Sequence, residues 1–227
     1  MTYEWDFHFL LQYRWLIATG VAVTIGYTLA TAILGLLIGT LLALGQMTGR
    51  RLVTLPITLF VEIFRCTPVL VQLIWVYYAL PVLIGVELSP AAAATLTLSL
   101  YGASFYGEII RGGIVSIEPG QWDAGRALGL SLTALLRHII LPQALRRMLP
   151  PLVNQTILQL KNTSLVSAIA VPDLLYQGQL ITSATYRPLE TYTMVAVAYF
   201  VILFPLTRAA QRLERHLAGS AARVGFE

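Results

Sequence analysis

Arg65, Lys161 and Glu62 carry side chains able to grip the two ends of a zwitterion. Arg65 offers a planar guanidinium fork that matches a carboxylate, and Lys161 offers a compact cation. Glu62 lies three residues before Arg65 on the same helical face. Asn162, Thr163 and Ser164 add hydrogen-bonding groups beside Lys161. Together they suit recognition rather than reaction. Arg65 would hold a carboxylate, while Glu62, or Asn162 and Thr163, would hold an ammonium, because a zwitterion needs a partner of each sign. A second reading stays open, in which Glu62 and Arg65 pair with each other inside a helical bundle and Lys161 bonds backbone carbonyls.

Other chemistries lack their residues. Cys66 is the single cysteine, and His8, His138 and His216 show no ligand spacing, so a metal site is not expected. No Gly-Lys-Ser/Thr phosphate-cradling loop occurs, so the chain is not expected to hydrolyse ATP. Ser104, Ser164 and Glu108 have no histidine within reach of the same apolar stretches, which removes the usual nucleophile-base arrangements.

The elements that position these groups must lie in lipid. Of the 227 residues, 57% are hydrophobic and only 11% charged, against roughly 25% charged in a soluble domain. Mean hydropathy is +0.73. A hydrocarbon core of roughly 30 Å needs about 20 apolar residues in a helix. Five stretches qualify, at about 15–44, 53–83, 89–110, 150–171 and 191–207. The expectation is an all-α membrane protein with five transmembrane helices in a single domain over 1–227. Residues 1–14 carry Glu4 and Asp6 and no basic n-region, so the first stretch is expected to remain a span. Its small residues Gly35, Gly39 and Ala43 recur every four positions, a stripe that lets another helix approach.

Basic residues set the orientation. With the N-terminus outside, Arg50, Arg51, Arg111, Arg126, Arg137, Arg146, Arg147, Arg208, Arg212, Arg215 and Arg223 fall inside, and only Arg14 and Arg187 outside. Eleven against two follows the positive-inside rule, and it accounts for the basic pI without nucleic acid. Counted at 1.5 Å per residue, Arg65 stands about 18 Å from Val53 and Lys161 about 16 Å from Pro150, so both cations are expected near the midplane. Glu108 and Arg111 are expected to pair at the inner end of the third span.

About forty residues, 111–149, separate the third and fourth spans, far more than a simple connection needs. Glu118-Pro119-Gly120-Gln121 reads as a helix start, Gly129 as a stop, and Ser131 as the cap of a second short helix running to Pro142. In this segment Asp123-Ala124-Gly125, then Gly129, Ile139 and Leu141-Pro142 resemble the cytoplasmic signature of ATP-binding-cassette importer permeases, with Asp-Ala-Gly where the family usually has Glu-Ala-Ala. Glu62–Gln72, Tyr101–Arg111 and Lys161–Leu165 resemble the polar amino acid branch of that family, and the likeness runs to Leu213-Glu214-Arg215.

The resemblance implies a type I importer permease subunit in a bacterial inner membrane. It implies pairing with an identical or sibling permease, two partner ATPases that hold ATP and magnesium, and delivery of an amino acid by an extracytoplasmic binding protein. No cofactor is expected on this chain. Gln121, Trp122, Asp123, Ala124, Gly125 and Gly129 become the expected coupling helix, with Trp122 as an interface anchor. Pro172, Asp173, Tyr176, Gln177 and Gln179 become candidates for contact with the binding protein, loop packing being the other reading. Asn162 stands where cationic-substrate relatives would carry an acid after the lysine, which favours a neutral or acidic solute. An ion-coupled carrier is the competing class, but it would show two matching halves, and five spans around one long inner loop show none.

Overall fold

The computed structural model describes residues 3–224, with side chains through Leu217; the side chain of Arg223 lies outside the described residues. Helix α1, Arg14–Met47, buries one narrow face made of Gly20, Thr24, Thr28, Thr31, Gly35, Gly39 and Ala43. The Thr28 and Thr31 hydroxyls donate back to the carbonyls of Thr24 and Tyr27 at 2.8 and 2.7 Å, so the face is small and internally satisfied. It seats on α4, Pro90–Val115, whose start is fixed by Pro90 and by Ser89, the hydroxyl of which accepts from the Ala92 amide at 3.1 Å. A Cβ at Gly39 would lie 2.8 Å from both the Ala103 oxygen and the Gly107 nitrogen, and one at Gly35 would lie 3.2 Å from the Ser99 oxygen. The small-residue stripe is therefore a backbone-on-backbone contact.

The expected second span is not one rod. It breaks at Thr67-Pro68 into α2, Arg51–Cys66, and α3, Val69–Ile84, bent by 108°. Thr67 sits at φ −112° and ψ 142°, because the following proline ring excludes it from helical geometry. The Gln72 amide staples the corner, donating to the carbonyls of Phe64 and Thr67 at 2.9 Å each and to the Thr67 hydroxyl at 2.6 Å.

The expected fourth span, 150–171, is also redrawn. Leu132–Leu135, a wide π turn at Leu136–Ile140, and Leu141–Asn162 run on as one helix, α6. Pro142 therefore does not end the short helix begun at Ser131. A second π turn, Trp75–Ala79 in α3, likewise precedes a Leu-Pro pair, Leu80-Pro81. The extra residue in each turn makes room for a ring that would otherwise strike the carbonyl four positions back. Beyond Asn162 the chain tightens into a 3-10 helix, Thr163–Ile169, and turns at Ala170 with φ +60°. A short helix follows, α7, Leu174–Thr185, and then the long α8, Pro188–Val224. By length and composition His8–Met47 and Pro188–Leu217 are each able to cross a membrane, and the bent pair makes a third.

Two apolar clusters hold the bundle. One joins Leu73, Ala93, Leu98, Val166 and Ile169, and the other joins Ala43, Ile110, Ile114, Leu135, Ile140 and Met148. Between them the buried Gln159 amide donates to the Thr31 hydroxyl at 3.0 Å and the Leu98 carbonyl at 2.8 Å, tying α6 to α1 and α4. Near the N-terminal segment Glu190 is fully buried, and it accepts from the Tyr3 hydroxyl, the Asp6 amide and the Arg187 guanidinium. Asp173 and Gln177 are buried as well. Asp173 caps α7 through the Tyr176 amide at 2.9 Å and accepts from the Tyr199 hydroxyl at 3.2 Å, so neither residue is open to a docking partner. Pro172 is exposed, and Tyr176 and Gln179 are half-buried.

Candidate functional site

Arg65 ends α2 just before the elbow, and its guanidinium turns towards α4. Nη1 lies 3.7 Å from Glu108 Oε2, and the guanidinium carbon lies 5.7 Å from the centre of the Phe105 ring. Glu108 is gripped side-on by Arg111, which donates from Nε at 3.0 Å and from Nη2 at 2.9 Å. The expected Glu108–Arg111 pair is therefore present, and Arg65 joins it from another helix. The Glu62–Arg65 pair does not form. Glu62 is exposed and accepts from the Cys66 thiol at 3.4 Å.

Among the described residues Arg65 donates no hydrogen bond, since its closest anion at 3.7 Å is beyond hydrogen-bond reach. Its side chain is 37% exposed. A guanidinium fork is thus held by charge and by an aromatic face while its donors stay open, the geometry required to receive a carboxylate edge-on.

The structure does not bring Lys161 to this cluster. Gln159 reaches the Leu98 carbonyl, and Glu108 lies ten residues further along α4, about 15 Å. Arg65, beside Glu108, and Lys161, two residues beyond Gln159, therefore stand at different levels along α4. With α2 and α3 joined at 108°, the two cannot both run along one axis, so a residue count from Val53 is not by itself a depth. Lys161 is exposed, Asn162 half-buried and Thr163 fully buried, with its hydroxyl donated to the Leu160 carbonyl at 2.6 Å. Arg147, Asn154 and Lys161 recur every seven residues along one exposed face of α6. Asn154 donates to Glu214 at 2.8 Å, and Arg147 donates to the Ser116 carbonyl at the end of α4. A cavity of about 410 Å³ opens between α4 and α6, lined by Glu108, Gly112, Ser116, Arg147 and Pro151.

The loop between α4 and α6 forms a compact knob. Helix α5, Pro119–Ala127, stops where Gly129 adopts φ +71°, with the Leu130 amide donating to Gly125 at 3.1 Å and the Gly129 amide to Arg126 at 2.9 Å. Ser131 caps the next helix by accepting from Ala134 at 3.3 Å. Gly125 is where the usual alanine would collide, since a Cβ there would fall 2.3 Å from Leu135 Cδ1. The glycine thus closes α5 onto α6. Gln143 fastens the same contact by donating to Gln121 at 3.1 Å. Gln121, Asp123 and Ala124 are exposed, whereas Trp122 is half-buried against the cluster of Ile110, Leu135 and Met148 and serves the knob's own packing. Leu128 and Leu132 stand 76% and 63% exposed at its tip, an apolar feature that the sequence reading passed over because helical periodicity places apolar residues inside.

Nothing stands within 4 Å of a Cβ at Gly129, so a side chain there meets strain rather than a clash. We expect Gly129→Val to destabilise the end of α5 by about 1–2 kcal/mol, with Gly129→Asn milder because asparagine tolerates the left-handed region. Protease protection of the inner loop measures both.

Residues 35–219 match the family model described as binding-protein-dependent transport system inner membrane component. The glutamine transport system permease protein GlnP of Escherichia coli (strain K12) is 38% identical over 203 residues, covering 89% of this chain and 93% of that protein. The arginine transport system permease protein ArtQ of Bacillus subtilis (strain 168) is 33% identical over 201 residues, covering 88% of this chain and 92% of that protein. A crystal structure of an amino acid ABC transporter with histidines superposes with a TM-score of 0.89 at 33% identity, covering 94% of this chain and all of that one. The inward-facing MetNI methionine ABC transporter, at 22% identity, shares the fold with a TM-score of 0.75, covering 91% of this chain and 98% of that one. The all-helical arrangement is the type I ABC permease fold.

Proposed function

We infer the solute, the topology and the partners from one premise, that this chain belongs to the family of binding-protein-dependent transport system inner membrane components. It is a permease subunit of an ABC importer, and an ion-coupled carrier is not favoured by its relatives. The solute we propose is a polar amino acid, with glutamine the first to test, because GlnP matches at 38% identity and Asn162 supplies no anion after Lys161.

The observation that carries the site is the open guanidinium of Arg65, poised 3.7 Å from Glu108 without a hydrogen bond. In this reading Arg65 takes the α-carboxylate, and Glu62, one turn away and exposed, is placed to meet the ammonium. Lys161 with Asn162 forms an earlier station on the outer side, reached before Arg65, and Thr163 supports that turn from within.

The topology proposed is five spans with the N-terminus outside, supported by the eleven-to-two distribution of arginines. The coupling helix is α5. Gln121, Asp123 and Ala124 face the ATPase, Leu128 and Leu132 enter its surface, and Gly125 and Gly129 hold the shape. The proposed assembly contains two such ATPases, which bind ATP and magnesium, a second permease subunit, and an extracytoplasmic binding protein, in a bacterial inner membrane. ATP-driven closure of the ATPases would shift the bundle between outward and inward openings.

The test is uptake of labelled glutamine into vesicles carrying the reconstituted complex and its binding protein. Uptake is expected to require ATP on the ATPase side and to persist when proton and sodium gradients are collapsed. Uptake that follows a gradient and ignores ATP would overturn the assignment.

A further inference from the structure

Glu108 is bonded unequally to its two arginines. Arg111 satisfies both of its oxygens at 2.9 and 3.0 Å, whereas Arg65 approaches one oxygen at 3.7 Å and donates nothing. We propose that Glu108 is the resident counter-ion of Arg65, which an arriving α-carboxylate displaces and which recaptures Arg65 as the solute leaves inward. The inference rests on the reading that Arg65 receives the carboxylate, and it adds the group that makes that receipt reversible.

The exchange is balanced by what each partner keeps. Glu108 loses only a Coulombic contact and remains paired with Arg111, so no carboxylate is stranded at 21% side-chain exposure. Arg65 gains hydrogen bonds that Glu108 does not make, while the Phe105 face at 5.7 Å keeps the guanidinium in position throughout. Glu62, on the same helix, makes no ion pair with Arg65, so Glu108 at 3.7 Å is the anion against which a solute competes. The cavity of about 410 Å³ beside Glu108 gives the departing solute space on the inner side. Without a competing anion the site would hold its solute more tightly and release it more slowly. With Glu108 present, affinity is traded for turnover.

This assigns Glu108 a positioning and release role, with a signature that a structural role lacks. In the permease–ATPase complex in nanodiscs, without binding protein, equilibrium binding is measured with labelled L-glutamine, L-arginine and L-histidine, and the tightest binder becomes the probe. Glu108→Gln is expected to tighten binding by about three- to fivefold, the scale of a partly exposed ion pair, and to lower turnover in vesicles. Glu108→Asp, which keeps the charge for Arg111 but withdraws it from Arg65, is expected to tighten binding less; it also serves if the glutamine variant fails to assemble. Arg65→Ala is expected to weaken binding at least tenfold, and adding Glu108→Gln to it should restore nothing. The α-amide of the same amino acid, lacking the carboxylate, should respond to neither Glu108 variant.

Weak binding by Arg65→Ala together with unchanged or weaker binding by both Glu108 variants overturns the counter-ion role alone. Wild-type binding by Arg65→Ala, or no binding of any probe by the wild type, overturns the carboxylate reading beneath it.

Discussion

Gly39→Leu is expected to abolish accumulation of folded permease, and Gly39→Ala to reduce it sharply. Even the first added carbon at Gly39 would fall 2.8 Å from two backbone atoms of α4, the Ala103 oxygen and the Gly107 nitrogen. Backbone cannot rotate aside as a side-chain tip does, so the two helices would have to separate along the contact that seats α1 on the bundle. Overpacking of a close core costs about 1–3 kcal/mol where side chains can adjust, and here α1 and α4 must move as units, which puts the leucine variant at or above the top of that range. Gly26 is the internal control, because a Cβ there meets nothing within 4 Å. Monodisperse yield and melting temperature in detergent should leave Gly26→Ala near wild type. Because alanine is the better helix former, equal loss from Gly26→Ala and Gly39→Ala would show that the close contact at Gly39 is not the cause.

The second large effect is functional. Arg65→Ala is expected to lower uptake at subsaturating glutamine by about 10- to 150-fold while leaving assembly intact, the range of about 1.5–3 kcal/mol for hydrogen bonds to a charged group. Assembly is expected to survive because Arg65 is 37% exposed and makes no hydrogen bond that folding depends on. Arg65→Lys retains the charge but not the fork and should recover only part of the loss. Vesicle uptake, normalised to permease content, decides. Normal transport by both variants would end the carboxylate assignment.

Much of this arrangement is legible before any coordinates. The stripe through Gly35 and Gly39, the stop at Gly129 and the cap at Ser131 are local features, and a residue type suffices to announce them. The elbow at Thr67-Pro68 was available in the same way, because a residue before proline avoids the helix, but an unbroken apolar run concealed it. Pro142, Pro150 and Pro151 mislead in the opposite direction. Pro142 and Pro150 read as boundaries, yet all three lie inside one helical run, with the π turn before Leu141 giving the first its room. The pairing of Arg65 with Glu108 could not be read at all. Each has a charged neighbour three positions away in sequence, and only the crossing of α2 and α4 shows that Arg65 chooses the distant one. Trp122 is similar, since its type announces an anchor but not whether the anchor holds a partner or the chain's own knob.

The close seating of α1 on α4 has a mechanical corollary. Two rods in main-chain contact have no soft layer between them to shear, so they act as a stator. On the proposed coupling, a stroke delivered through α5 would then appear as motion of the jointed α2–α3 arm against that fixed post. Distance labels across α1 and α4 should accordingly read the same number in every stage of the cycle.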